Sequence, residues 1–372
     1  MATKFVNSTA ALSLALSSGS PGDVIALAPG SYANVGAYKV NFSAPVTITS
    51  QDPKHPAVVS GLSVYNSSGL TFSQLAIGPS GGVNTWSTRV GGSNQILFSH
   101  VDFKGSAGAA PSNQASGLLI ENSSNVGVQN SHFAYVNTGI TETNNTYLRI
   151  SANAFDHIGT DGIDNSGSSN VVIISNNFTN FQNTIGTSHP DVIQFWTFNT
   201  TALPHDITIS SNIFVRGAGT PAQGIFMSEE AGLPYTNLTI RDNMILGGLW
   251  NGIDVVHAVW PQVSGNTVAS WAGQDTNTGA TLDNLISRIT LSGISGAAYH
   301  ETANAAQQYV LGDQVVAAPM SNAAIGAVDD AGASLLQAWS LAHSNQLAGL
   351  SSDLLSLLGL GSTAHSMAGL GA

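Results

Sequence analysis

Five segments of the 372-residue chain can be laid beneath one another: TYLRISANAF (146–155), SNVVIISNNF (169–178), HDITISSNIF (205–214), TNLTIRDNMI (236–245) and VWPQVSGNTV (259–268). Each closes on Asn, one further residue and an apolar residue, and most reach that Asn through alternating apolar positions. The asparagines are Asn153, Asn176, Asn212, Asn243 and Asn266, spaced 23, 36, 31 and 23 residues apart. A second strand recurs between them: SGLLIE (116–121), TGITET (138–143), DGIDNS (161–166), DVIQFW (191–196), QGIFMS (223–228) and NGIDVV (251–256). Two short strands repeating about every 22 residues describe a solenoid, in which no turn buries its own apolar face and stacked turns share one core. A side-chain amide both donates and accepts, so like asparagines stacked about 4.8 Å apart can bond along the stack at a tight bend. The fold class is therefore all-β, a right-handed parallel β-helix.

The ends read differently. Residues 5–33 suggest a capping helix with Ala11, Leu12, Leu14, Ala15 and Leu16 on its apolar face, then a turn at SGSPGD and a first strand at VIALAPGSY. A cap is needed because a solenoid end exposes core and unpaired strand edges. Beyond about 272 the repeat fades. Residues 275–372 carry eight charged side chains, and 299–310 and 332–360 have helical patterning. The chain divides into a cap and first strand (1–37), a β-helix (38–272) and a mainly helical C-terminal segment (273–372). That last segment suits capping, export, or docking to a partner or second copy through 332–360.

Composition narrows the function. Charged residues make up 8% of the chain, the formal net charge is −12 and no basic stripe exists, which argues against nucleic acid as a partner. There is no cysteine, so disulfides and thiolate metal sites are excluded. No run of 18 uninterrupted apolar residues predicts a membrane span. The first twenty residues lack the pattern of a signal peptide, so the expected location is outside the cell by a C-terminal export signal, or on a phage particle.

The short helix followed by PGDVIALAPGSY resembles the N-terminal entry of the pectin-lyase-like superfamily, and within it the branch of chondroitin and alginate lyases. The later repeats are similar to those of lyases, epimerases, polygalacturonases and tailspikes, and the resemblance covers roughly 5–270. It implies the fold and leaves the reaction open, because that superfamily hosts many chemistries. The lysine-plus-arginine pattern of the lyase branch is not matched, so none of its functional residues carries over. HPD (189–191) resembles the DPHE run of mannuronan epimerases in a different order.

Loops at 179–190, 197–204, 215–222 and 229–235 flank the second strand and should wall a groove. Alignment on Leu118, Ile140, Ile163, Ile193, Ile225 and Ile253 points Asp164, Gln194 and Asp254 outward, with Trp196 in the next outward column. Asp161 and Asp191 share a position ahead of their anchors in neighbouring turns, about 5 Å apart. So close a pair raises one pKa, holds a cation, or caps backbone amides. With Asp164 the pair would suit Ca²⁺.

His189 would be the base and Arg216 the clamp for a uronate carboxylate. Trp196 would be a sugar platform, and Glu229 a second acid. His157, Tyr235, Asp254, His257 and Gln194 would complete the sugar contacts. These parts suit β-elimination on an acidic polysaccharide. The alternatives are C5-epimerisation, hydrolysis by a carboxylate pair, or glycan binding without turnover.

Overall fold

The computed structural model describes residues 1–183, 189–198, 200, 202–269, 288–295 and short strands between 300 and 316. The segment 332–360, expected to be helical, lies outside the described residues. The chain winds as a right-handed parallel β-solenoid whose three sheets hold 13, 12 and 11 strands among the described residues. Sheet A holds strands such as Thr146–Ser151 and Ser169–Ile174, sheet B three-residue strands such as Ala154–Asp156 and Asn177–Thr179. Sheet C holds Ile140–Thr143, Ile163–Ser166, Asp191–Trp196, Gln223–Met227, Asn251–Val256 and Arg288–Ser292. The repeat read as one strand ending in Asn-x-Phe is thus two strands in two sheets. The break falls on a residue with positive φ ahead of each asparagine: Ala152, Ser175, Ser211, Asp242 and Gly265 at 54–65°. A left-handed residue cannot continue a strand, so the chain turns there.

The turn is held by the buried asparagines. In each, Oδ1 accepts from the backbone N–H and side-chain Nδ2 of the preceding asparagine, at 2.9–3.0 Å along the series from Asn153 to Asn266. The other Nδ2 hydrogen reaches a carbonyl of an earlier turn, as from Asn212 to Ile173 at 2.9 Å. The side-chain amides of the column thereby satisfy one another and the carbonyls beneath them. Two positions on, Phe103, Phe133, Phe155 and Phe178 stack with ring centroids 4.4–4.8 Å apart. On sheet C, Leu118, Ile140, Ile163, Ile193, Ile225 and Ile253 stand in continuous register and are buried.

At the N-terminal end the helix Thr9–Ser17 is capped by Ser8, whose Oγ accepts from Ala11 N at 3.2 Å. Leu12, Ala15 and Leu16 cover the core; Leu14, expected on the same face, is 68% exposed. A strand at Thr3–Val6 precedes the helix and pairs with Val24–Leu27. At the other end the solenoid continues past 272. His300–Thr302, Ala305–Ala306 and Tyr309–Leu311 extend the three sheets where 299–310 was expected to be helical. The open ladder of the preceding turn outweighs the weak helical preference of an Ala-rich stretch. Among the described residues no helix is long and apolar enough to cross a membrane.

The inward columns of sheet C are interrupted by polar residues at Thr88, Glu142 and Asn165. Glu142 points inward between Ile120 and Asn165 in the register and is fully buried. Asn165 Nδ2 donates to its Oε2, while Oε1 has no partner. Burial lifts its pKa to about 8, with the nearby charge of Asp164 adding to the rise.

Two outcomes are expected. Asn212→Ala strands the donors of Asn176 and the Ile173 carbonyl, and should lower unfolding stability by about 3 kcal/mol in a denaturant titration. Glu142 keeps its proton in the folded protein up to about pH 8 but loses it near 4.5 when unfolded, so it makes stability fall as pH rises between those values. Glu142→Gln should remove that fall, leaving Tm nearly unchanged at pH 4.5 and raising it by roughly 5 °C at pH 8.

Candidate active site on sheet C

The bend entering sheet C places Asp161, Asp191 and Gln223 at equivalent positions in successive turns. Gly162 N donates to the Asp191 carbonyl, and Asp191 pairs with Gln223. Asp161 Oδ1 accepts from the Asp191 backbone N at 2.9 Å, the capping role open to it from sequence. Asp191 is 0% exposed. Its Oδ2 lies 2.7 Å from His189 Nδ1, and its Oδ1 has no hydrogen-bond partner. The His189 side chain is 53% exposed and stands edge-on to Phe226 with centroids 4.7 Å apart. Its Nε2 faces the Gln223 amide at 2.5 Å. A buried carboxylate on Nδ1 fixes the Nδ1–H tautomer, so in the neutral ring Nε2 accepts from the Gln223 amide.

Asp164 stands on the outer face of the neighbouring strand, opposite Gln194. Burial and then the charge of Asp191 raise its pKa to about 6, and the Trp196 indole tempers that rise. Burial also lifts Asp191 to about 6, held back by the bond to His189. Asp161 is pushed well above the carboxylate range by burial, then by Asp191 and Asp164. His189 moves up, chiefly through its bond to Asp191 and against the effect of burial. Four ionisable groups thus share one desolvated patch and set one another's charge.

The outer row runs Asp164, Gln194, Phe226, Asp254 and Thr290. Asp254 is three strands from Asp164, about 14 Å at roughly 4.8 Å per strand. Its pKa is raised to about 6 by burial, against the pull of Arg288. Arg288 itself lies over Trp250, with Cζ 3.6 Å from the ring centre. Trp196 is half-buried and stacks on Phe198 at 5.5 Å, planes 15° apart.

Several expected members stand elsewhere. Arg216 lies in the turn after Ile213–Val215 with Nε 3.4 Å from the Gly219 carbonyl, and it is not among the charges acting on Asp161, Asp164 or Asp191. Tyr235 is buried in the core, its hydroxyl donating to the Ser228 carbonyl at 2.7 Å, because it opens a sheet A strand with its side chain inward. Glu229 and His257 face each other at 3.4 Å beyond the far end of the strand from His189, so Glu229 is not a second acid there. His157 sits at the bend after sheet B, stacked on Tyr135 at 4.6 Å and 2.8 Å from Asp156 Oδ2.

Among the described residues no three His, Cys, Asp or Glu side chains are grouped to hold a metal ion. Asp161 Oδ1 accepts from the Asp191 amide and Asp191 Oδ2 faces His189, while Asp164 Oδ1 and Asp191 Oδ1 have no hydrogen-bond partner. Gln223, Phe226, Trp250 and Arg288 join the face unforeseen. Gln223 shares a column with Asp161 and Asp191, a signal present in the alignment. Arg288 opens a strand whose Ile289 continues the isoleucine column, but the long interval after Ile253 and a register shift at Asn251 hid it.

The profile of the right-handed β-helix region matches residues 60–268, and the chain belongs to that family. No protein of curated description matches it. Among solved structures it is similar to the surface protein and adhesin PfbA of Streptococcus pneumoniae, with 12% identity and a TM-score of 0.53 over 83% of this chain and 86% of that one. It is also similar to a GH136 lacto-N-biosidase from Eubacterium ramulus, with 12% identity and a TM-score of 0.51 over 84% and 68%. A mannuronic-acid-specific polysaccharide family 6 lyase from human gut microbiota aligns at 15% identity and a TM-score of 0.45 over 84% and 82%.

If Asp191 is what holds the imidazolium, Asp191→Asn should lower the His189 pKa by about one unit or more, read from the imidazole proton shifts in an NMR titration. An unchanged titration would mean that the pair does not act as a dyad.

Proposed function

We propose that the outer face of sheet C hydrolyses glycosidic bonds in an uncharged polysaccharide, with His189 as general acid and Asp164 as general base. The observation that carries this reading is the His189–Asp191 pair set beside Asp164 on an open, aromatic-flanked face. The environment separates the two roles in the required order: His189 is shifted up from its ordinary value, while Asp164 lies at about 6. Between those values the imidazole keeps its proton and the carboxylate is ionised.

His189 Nε2–H gives its proton to the glycosidic oxygen as the bond from the anomeric carbon to that oxygen breaks. Asp164 takes a proton from the water that attacks the anomeric carbon. Gln223, now against Nε2, marks where the leaving oxygen would sit. Trp196 and Phe198 offer ring faces to the apolar C–H surfaces of sugar rings.

An uncharged substrate is preferred on electrostatic grounds. β-Elimination needs a cation to neutralise the uronate carboxylate, and Arg216 is not among the charges acting on Asp161, Asp164 or Asp191. Arg288 is stacked on Trp250 beside Asp254. A face built around Asp161, Asp164, Asp191 and Asp254 would repel a polyuronate once those groups ionise. The uronate-lyase chemistry suggested by the repeats is therefore less well supported than hydrolysis, which the similarity to a glycan-cleaving lacto-N-biosidase also accommodates. A polysaccharide substrate fits a location outside the cell or on a particle surface.

Incubation with galactan, glucomannan, xyloglucan, alginate and pectate tests the assignment. New reducing ends from an uncharged polymer, without the absorbance of an unsaturated uronate, are expected. Activity should follow a bell, rising as Asp164 ionises near pH 6 and falling as His189 loses its proton at higher pH. Asp164→Asn and His189→Ala should each lower kcat by about 100-fold or more. Unsaturated product, or undiminished cleavage by both variants, would overturn it.

A further inference from the structure

Sheet C carries a second ordered surface well away from His189. Tyr38, at the end of Gly36–Tyr38, pairs in register with Tyr65, at the end of Leu62–Tyr65. Their rings are parallel within 5°, with centroids 6.4 Å apart. Tyr38 is 60% exposed and Tyr65 half-buried.

These rings lie down on the sheet. The Tyr65 hydroxyl donates to Glu121 Oε1 at 3.2 Å, and Glu121 is two strands further along the same row. To reach it the ring must pass over the strand between, and the residue there is Gly91. A Cβ on Gly91 would stand 2.3 Å from the Tyr65 ring, so only glycine lets the ring lie flat. Gly36 does the same for Tyr38, whose ring would come within 2.1 Å of an added Cβ. Beside them Arg89 stands over Trp86, with Cζ 5.2 Å from the ring centre, and Trp86 Nε1 donates to Thr141 Oγ1 at 3.2 Å, again two strands on.

A flat tyrosine pair with a carboxylate and a guanidinium at its edge is ordinary equipment for holding a pyranose: ring faces for the C–H surface, charged groups for the hydroxyls. Its row is continuous with the candidate site, running from Tyr65 through Gly91, Glu121, Thr143 and Ser166 to Trp196. Five strand spacings, about 24 Å at roughly 4.8 Å each, separate Tyr65 from Trp196. We propose that Tyr38 and Tyr65 form a distal glycan platform that holds the same polysaccharide chain several sugars away from the bond being cut. The proposal rests on the glycan reading of this face and adds that the substrate is a long chain lying along the solenoid axis.

Affinity electrophoresis of the whole protein through gels containing galactan, glucomannan or xyloglucan tests it, with cleavage of tri- and tetrasaccharides of the same sugars measured alongside. The expected result is retardation by at least one polymer, weakened about tenfold in Tyr38→Ala/Tyr65→Ala, a loss of roughly 1.4 kcal/mol. Cleavage of the short oligosaccharides should be unchanged in that variant. Gly91→Val, which lifts the Tyr65 ring without removing it, should weaken retardation in the same direction. Tyr65→Phe, which keeps the ring, should retain most of it, and thermal unfolding of each variant verifies folding.

Polymer binding indifferent to the tyrosines, equal loss on short and long substrates, or no retardation of the native protein in any gel would overturn the platform. The two readings fail separately. Tyrosine-dependent retardation with no cleavage would sink the hydrolase and keep the platform; cleavage without tyrosine dependence would do the reverse.

Discussion

In a coil of parallel strands each backbone amide bonds a carbonyl in the adjoining turn, so a side chain stands beside the residue at the same position one turn away. That constraint builds the core of this protein as columns: isoleucine on isoleucine in sheet C, phenylalanine on phenylalanine in sheet B, asparagine on asparagine at the bend between sheets A and B. It also assembles the candidate site. Asp161, Asp191 and Gln223 lie far apart in sequence and meet because each precedes its isoleucine by the same two residues. The aspartates ionise reluctantly for the same reason, since the coil that aligns them also buries them beside one another.

Because the columns are written at a near-constant interval, most of the solenoid was legible before any coordinates. Asn-x-Phe and the Gly-Ile or Val-Ile strands give the turns and their alignment, and the register follows it. The third sheet was not legible. Its marker is a left-handed residue, and Ala152 or Ser175 carries no outward sign of that conformation. The C-terminal strands from 300 onward were misread because an Ala-rich segment looks helical alone and pairs only when a previous turn is offered.

At the site, residues within or next to a strand were placed well from sequence, and those in loops were not. Asp164 and Gln194 follow from alternation, Asp191 from the position it shares with Asp161 ahead of the isoleucine, and His189 from its nearness to Asp191. Arg216 and Glu229 were assigned from the turn they belong to, which says nothing of where a long side chain swings. Arg216 turns to Gly219 and Glu229 to His257. Tyr235 looked like a rim residue because a loop precedes it, yet its strand has already begun and its ring is inside. Glu142 escaped notice because a glutamate in a strand reads as an outward residue, and here it points at Asn165 in the core.

The interval between successive asparagines varies from 23 to 36 residues, yet the contact between Asn176 and Asn212 is the same 3.0 Å as that between Asn153 and Asn176. Extra residues leave the coil as excursions and rejoin it without displacing what lies beneath. Pavement and parapet are consequently independent: mutation can lengthen, trim or recolour the rims while the reacting groups and the tyrosines stay at fixed separations. A lineage built on this plan is free to change what its face meets by rewriting its excursions alone.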